Sequence, residues 1–562
     1  MIRALLVAVL VVGFVPVLAA EPPAFDLVLR GGTIYDGSGL PPFAGDVGLR
    51  GDRIVALGDL SGARGVRELD VRGLAVAPGF VNVLSWATES LLVDPRAPSD
   101  TFQGVTLEVF GEGFSMGPLN AEMKRQLIAD QGDLRYDVTW TTLGEYLEAL
   151  EKRGVAPNVA SFVGATTVRI HELGYANRPP TADELERMRA LVRAAMAEGA
   201  LGLGSSLIYA PAFYAGTDEL VALAEAAAPG RYISHLRSEG NRFLEALDEL
   251  LEISRRAGVP AEVYHLKAAG QSNWGKMAAA ITKIEAARAA GFDVTADMYT
   301  YTAGATGLDA AMPPWVQEGG TEAWITRLRD PESRAKVAAE MRTPTDAWEN
   351  LMLAAGAEGM LLVGFKTEAL KPLTGKTLAE VARARGKSPE ETAMDLVSED
   401  GTRVGTIYFL MSEDNVRRQV ALPWMSFGSD EAAPATEGPF LRSNNHPRAY
   451  GNFARLLGRY VRDEGLVPLA EAVRRLTSLP CENLKIRDRG RLRPGYFADL
   501  AIFDPAKVHD PSTFEAPHQY ATGMVHVFVN GVPVLEDGVL TGKPAGRVVR
   551  GPAWRGWAKE SK

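Results

Sequence analysis

Residues 231–299 read RYISHLRSEGNRFLEALDELLEISRRAGVPAEVYHLKAAGQSNWGKMAAAITKIEAARAAGFDVTADMY, and their rhythm decides the fold. Three short runs of β-formers, RYISHL, AEVYHLK and FDVTADMY, are separated by Ala-, Leu- and Glu-rich stretches of helical character. They recur about every thirty residues, the length of a strand–helix–strand unit, and repeated units of that kind imply a parallel sheet. The same texture extends upstream through a helix from Thr181 to Glu198, the strand-like LGLGSSLIY and a helix from Thr217 to Ala228. Between residues 78 and 484 there is room for about eight units, so a (β/α)8 barrel is the leading closure. A doubly wound open sheet is the alternative, weakened because no Gly-rich dinucleotide fingerprint follows the first parallel strand.

Outside that region the texture changes. FDLVLRGGTIYDG, DVGLRGDRIVALG and RELDVRGLAVAPGF read as short strands between Gly/Asp turns, and ADLAIFDP and MVHVFVNGVPVLEDG return to the same character near the C-terminus. Both ends are too short for separate sandwiches, so residues 21–77 and 485–552 are expected to pair into one small discontinuous β domain. The stretch from about 310 to 380 is helical and charged and reads as an insertion in the barrel. At the N-terminus, Arg3, the apolar run Ala4–Leu18 and the small pair Ala19–Ala20 have the order of a secretory signal over residues 1–20. The run is shorter than the roughly 20 residues of a spanning helix. An exported, periplasmic or secreted chain with no stable membrane span after signal removal is therefore expected.

With 562 residues, 46% hydrophobic and 23% charged, the chain is an ordinary globular protein that needs no staple. A net charge of −10 and the lack of any Lys/Arg block argue against nucleic acid as a partner. The single cysteine, Cys481, excludes an intrachain disulfide and any Cys-cluster metal site. Seven histidines leave a short search for a His-bearing metal site.

In a barrel, chemistry sits at the C-terminal ends of the strands. His235 ends YISH, His265 ends VYH, Glu112 ends VTLEVFGEG among glycines and Asp430 ends MSFGSD. Two imidazoles and a carboxylate form an established catalytic zinc set with an open position, and Asp430 is placed to take a proton from water. His446, in SNNHPRAYG, with neighbouring Arg448, could hold an anionic substrate group or brace its loop. Lys267 shares a strand face with His265 and adds positive charge. Tyr209 and Tyr299, at the ends of LGLGSSLIY and DVTADMY, are further candidates for substrate contact. His509, His518 and His526 fall in the C-terminal β region, and His171 has no partner signal.

Taken in order, APGFVN, QGVTLEVFGEGFSMGP, GALGLGSSLIYAP, SHLRSEGNR, HLKAAGQSNWGK, DVTADMYTYTAG, FGSDEA, NNHPRAYGNFARLLGRYV and LRPGYFADLAIFDP resemble the N-acyl-D-amino-acid deacylases (D-aminoacylases) of the amidohydrolase superfamily. The resemblance implies a metal-dependent barrel over residues 78–484, a small β domain from both chain ends, and hydrolysis of the amide bond of an N-acyl-D-amino acid. Two departures stand out. Where the family carries a His-x-His pair on the first barrel strand, this chain has Leu84 and Trp86, neither of which can ligate a metal. Where the family holds its tight zinc with two His and a Cys, the matching positions are His235, His265 and Glu112. One divalent ion is therefore expected rather than two, with zinc the leading candidate, although a carboxylate in place of a thiolate separates Zn from Mn or Co less sharply.

The expected enzyme is thus a mononuclear metal hydrolase with Asp430 as general base. Lys267, Arg448, His446, Tyr209 and Tyr299 would hold a small-molecule substrate that bears a carboxylate. Hydrolysis of a cyclic amide or lactone, and a non-catalytic exported binding protein on the same fold, are the two rival readings.

Overall fold

Eight short parallel strands follow one another in chain order: β1 (Phe80–Asn82), β2 (Val105–Phe110), β3 (Asn158–Ser161, resuming at Val163–Gly164), β4 (Gly202–Ser206), β5 (Arg231–His235), β6 (Ala261–Val263), β7 (Val294–Met298) and β8 (Met425–Phe427). This computed structural model describes residues 24–557, so the expected leader at 1–20 lies outside the described residues. Parallel ladders join each strand to the next; β3 faces β2 with its first part and β4 with its second. The ring closes just beyond the ends of β8 and β1. There Ser85 and Glu431 form a parallel bridge, Asp430 N–H donates to the Leu84 carbonyl at 2.8 Å, and Trp86 N–H donates to the Glu431 carbonyl at 2.9 Å. The expected (β/α)8 barrel is borne out.

Alternation along the strands sorts side chains between an inward and an outward rank. Val81, Leu107, Val109, Ala160, Ile233 and Tyr264 form one buried cluster, which Cys481 joins. Burial pushes the Cys481 thiol up to about 12, so it is an inert core residue. Helices cover the outer rank. Phe243–Ala257 buries Phe243, Ala246, Leu247, Leu250 and Ile253, a three-to-four-residue stripe, and stops at Gly258 with φ 67°. Ala182–Ala197 starts at a reciprocal cap between Thr181 and Glu184.

The two chain ends meet in a nine-stranded sheet. Its joint is the antiparallel pairing of Leu500–Phe503 with Ala75–Pro78, over a core that includes Leu29, Ile34, Val47, Ile502 and Phe528. Between β7 and β8 the chain leaves the barrel over residues 299–424, within which the helical stretch anticipated at 310–380 falls. The excursion has its own antiparallel sheet, with Gly405–Phe409 between Ala303–Gly307 and Met360–Gly364, and its own buried core around Leu308, Trp324, Val337, Leu396 and Tyr408. One face of that sheet stands over the barrel mouth. No helix among the described residues is long and apolar enough to cross a membrane.

Candidate metal centre

Four strand ends bring the chemistry together. Glu112 follows β2 between Gly111 (φ 110°) and Gly113 (φ 73°). A Cβ on Gly111 would lie 2.5 Å from the Phe162 carbonyl oxygen, so only glycine lets the chain turn the carboxylate into the mouth. His235 is the last residue of β5. His265, two residues past β6, and Asp430, three past β8, both sit at positive φ, 33° and 51°. Left-handed backbone at non-glycine residues costs on the order of 1–3 kcal/mol and concentrates at functional sites.

The donor atoms converge. Glu112 Oε1 lies 3.1 Å from His235 Nδ1 and 2.8 Å from His265 Nε2, and the two ring nitrogens are 3.1 Å apart. Among the described residues this is the one group of three such side chains whose ligand atoms share a site. An ion bonded at about 2.0–2.1 Å to nitrogen and oxygen needs tetrahedral ligand atoms about 3.3 Å apart, so a few tenths of an ångström of opening would admit it. The donor set therefore fits a divalent metal.

Glu239 stands behind both rings. Its Oε1 lies 3.2 Å from His265 Nδ1 and 2.7 Å from Lys267 Nζ, and its Oε2 lies 3.6 Å from His235 Nε2. With its proton on Nδ1 and donated in a hydrogen bond to Glu239, His265 keeps the Nε2 lone pair aimed at the triangle, the usual carboxylate support of a metal-binding imidazole. Burial would raise the Glu239 carboxyl, but His235, Lys267 and His265 bring it down to about 2. Glu112 shows the same contest: burial pushes it up, and the His265 and His235 rings hold it well below its ordinary range.

Asp430 is gripped from two sides. Arg448 Nη2 reaches its Oδ2 at 2.9 Å, and the Trp86 indole N–H donates to its Oδ1 at 3.1 Å. The same indole N–H donates to Glu112 Oε2 at 3.0 Å. Burial raises the Asp430 carboxyl above its ordinary value despite the opposing Arg448 charge, which makes the carboxylate a better proton acceptor.

These groups open on a cavity of about 410 Å³ that is also lined by Tyr209, Tyr299, Lys267, Arg403 and Arg448. Among the described residues, the Tyr299 hydroxyl is buried without a hydrogen-bond partner, and so are Arg448 Nε and Nη1. Lys267 donates to Glu239 at 2.7 Å and to the His265 carbonyl at 3.3 Å, so its charge is present but its protons are engaged within the protein. His446 is spent as well: its Nε2 pairs with the Ala303 carbonyl at 3.0 Å and its Nδ1 accepts from Arg448 N–H at 3.0 Å. The expectation that His446 binds substrate therefore gives way to the bracing role, because neither ring nitrogen is free.

Three contributors escaped the sequence reading. Glu239 lies four residues past His235 in the charge-rich SHLRSEG, where it passes for a solvated loop acid. Arg403 comes from the excursion; it pairs with Asp309 at 2.9 Å, donates to Thr306 Oγ1 at 3.1 Å and lies over the Tyr209 ring, with 48% of its side chain exposed. Trp86 shows no chemistry until β1 and β8 are joined.

Comparison with known proteins agrees with this geometry. A profile described as "Amidohydrolase family" matches residues 67–535. A D-aminoacylase of Alcaligenes xylosoxydans xylosoxydans is 36% identical over 536 residues, covering 94% of this chain and 98% of its own. A solved D-aminoacylase, studied for one-metal activation and second-metal attenuation in a binuclear centre, superposes with a TM-score of 0.78 at 35% identity, over 94% of this chain and 100% of its own. An N-acyl-D-glutamate deacylase from Bordetella bronchiseptica, solved with zinc and a phosphonate mimic of the tetrahedral intermediate, gives 0.76 at 30% identity, over 94% and 99%. The resemblance read from the sequence is borne out: this chain belongs to the amidohydrolase family, as a metal-dependent enzyme of the N-acyl-D-amino-acid deacylase type that lacks the first-strand His-x-His pair.

Proposed function

We propose that the chain cleaves N-acyl-D-amino acids to a carboxylate and a free D-amino acid, using one divalent ion, zinc, held by Glu112, His235 and His265. The observation that carries this reading is the juxtaposition of that donor triangle with Asp430 and with the unpartnered Arg448 and Tyr299 groups around one cavity. Relatives that hydrolyse such amides share the fold over nearly the whole chain.

When bound, the ion supplies Lewis acidity to the scissile carbonyl and lowers the pKa of water. Asp430 takes the proton of the attacking water as its oxygen bonds to the carbonyl carbon. It then gives that proton to the nitrogen as the C–N bond breaks, so one side chain serves both halves of the reaction. Arg448, tied to Asp430 through Nη2, offers Nε and Nη1 to the substrate carboxylate, with the Lys267 charge nearby. The Tyr299 hydroxyl is free to donate to an oxygen of the substrate. Arg403 adds a cation at the mouth. We also read residues 1–20 as an export signal, on the strength of their n-region, apolar run and small-residue end.

The test is stereochemical. Protein stripped with chelator should hydrolyse neither N-acetyl-D-leucine nor its L-enantiomer, and one equivalent of zinc should restore turnover of the D-form alone. Turnover of hydantoins or lactones in its place, or activity that survives metal removal, overturns the reading.

A further inference from the structure

The first barrel strand offers no metal ligand, yet the place such ligands would serve is filled. Leu84 points into the barrel core and is 1% exposed. Asn82 is turned away, its Nδ2 donating to Glu108 Oε2 at 3.1 Å and Ser429 Oγ at 2.8 Å. Trp86 alone faces the site. Its indole N–H is shared between Glu112 Oε2 at 3.0 Å and Asp430 Oδ1 at 3.1 Å. Two carboxylates held that close repel in a buried mouth unless something positive stands between them. In a binuclear centre that something is a cation; here it is the positive edge of an indole ring.

We propose that Trp86 takes the place of a second metal: its N–H is a positioning group that aims Asp430 and Glu112 and makes the site mononuclear by construction. This inference rests on the one-ion hydrolase reading above. The donor is neutral and fixed. It cannot dissociate, and it leaves Glu112 Oε1 free to face the histidines, because it engages only the other carboxylate oxygen. The backbone holds the ring in register, since Trp86 N–H also closes the barrel on the Glu431 carbonyl at 2.9 Å. A hydrogen bond to a charged group is worth about 1.5–3 kcal/mol, which corresponds to about ten- to a hundredfold in rate if it is realised at the reacting carboxylate.

Trp86→Phe keeps the ring and removes the donor. On zinc-loaded full chain with N-acetyl-D-leucine, kcat is expected to fall about ten- to a hundredfold with KM within about twofold, zinc still at one per chain and the melting temperature within a few degrees. If Trp86 acts through Asp430, the same substitution in an Asp430→Asn background costs less than about twofold more. An unchanged kcat in Trp86→Phe, an equal loss in both backgrounds, or loss of the zinc overturns the proposal. The second arm needs no substrate. Calorimetric titration of metal-free protein with zinc should show one tight site in the wild type and two in Trp86→His, where an imidazole would stand between Glu112 and Asp430. Two tight sites in the wild type overturn the proposal, as does one site in both proteins. A wild type that binds one zinc but leaves N-acyl-D-amino acids intact instead refutes the functional reading, while the titration still decides the role of Trp86.

Discussion

Asp430 concentrates the chemistry in one carboxylate, and its surroundings state its task. It sits at φ 51°, is gripped by Arg448 and Trp86, and is raised by burial above its ordinary value. Asp430→Asn keeps the shape and the left-handed tolerance but cannot accept a proton. Its kcat should fall by about 10²–10⁴-fold while zinc stays at one per chain. Loss of the metal together with activity would mean that Asp430 is a ligand rather than the base. His235, His265, Glu112 and Asp430 were legible in the sequence because each ends a strand-like run. Glu239 and Arg403 were not, because a charged residue in a loop looks the same whether it faces water or a cavity.

At the scale of elements, the thirty-residue rhythm of 231–299 was enough to predict parallel strands, and β5, β6 and β7 stand where it put them. The antiparallel sheet of the 299–424 excursion left no such trace. Its central strand, Gly405–Phe409, pairs with Ala303–Gly307 about a hundred residues away, and no local periodicity records that pairing. This sheet carries Arg403 to the cavity. If Arg403 meets the substrate in its ground state, Arg403→Ala should raise KM about tenfold with kcat nearly unchanged, the pattern of lost uniform binding. A matched fall in kcat and kcat/KM would instead place Arg403 at the transition state. The stability of Arg403→Ala should be checked in parallel, since Asp309 loses its partner.

For the whole molecule, buried carboxyls outside the metal centre set the pH response. Burial pushes Glu108, which lies beside Asp100, to about 7, and Glu431 to about 7 despite Arg448. Asp100, fully buried beside Glu108, is raised by burial and by the Glu108 charge. A carboxyl raised on folding contributes stability that is fully present below its unfolded value of about 4.5 and is lost as pH climbs through its folded value near 7. The expected outcome is a melting temperature that falls across that window. Glu108→Gln, which cannot ionise, should gain on the wild type steadily from pH 5 to pH 7.5. Parallel curves for the two proteins would show that Glu108 titrates normally. Glu112 and Glu239, held low by their cationic neighbours, act with the opposite sign and weaken the fold only as pH falls below the ordinary carboxylate range.

The barrel seam between β8 and β1 has a consequence in time. The three metal donors come from the ends of β2, β5 and β6, whereas Asp430 and Trp86 flank the Ser85–Glu431 bridge that joins the last strand to the first. A refolding chain whose other seams have formed would already capture zinc, yet would turn nothing over until that final seam zips. Zinc uptake would then run ahead of regained turnover, and the interval between them would clock the closing of the ring.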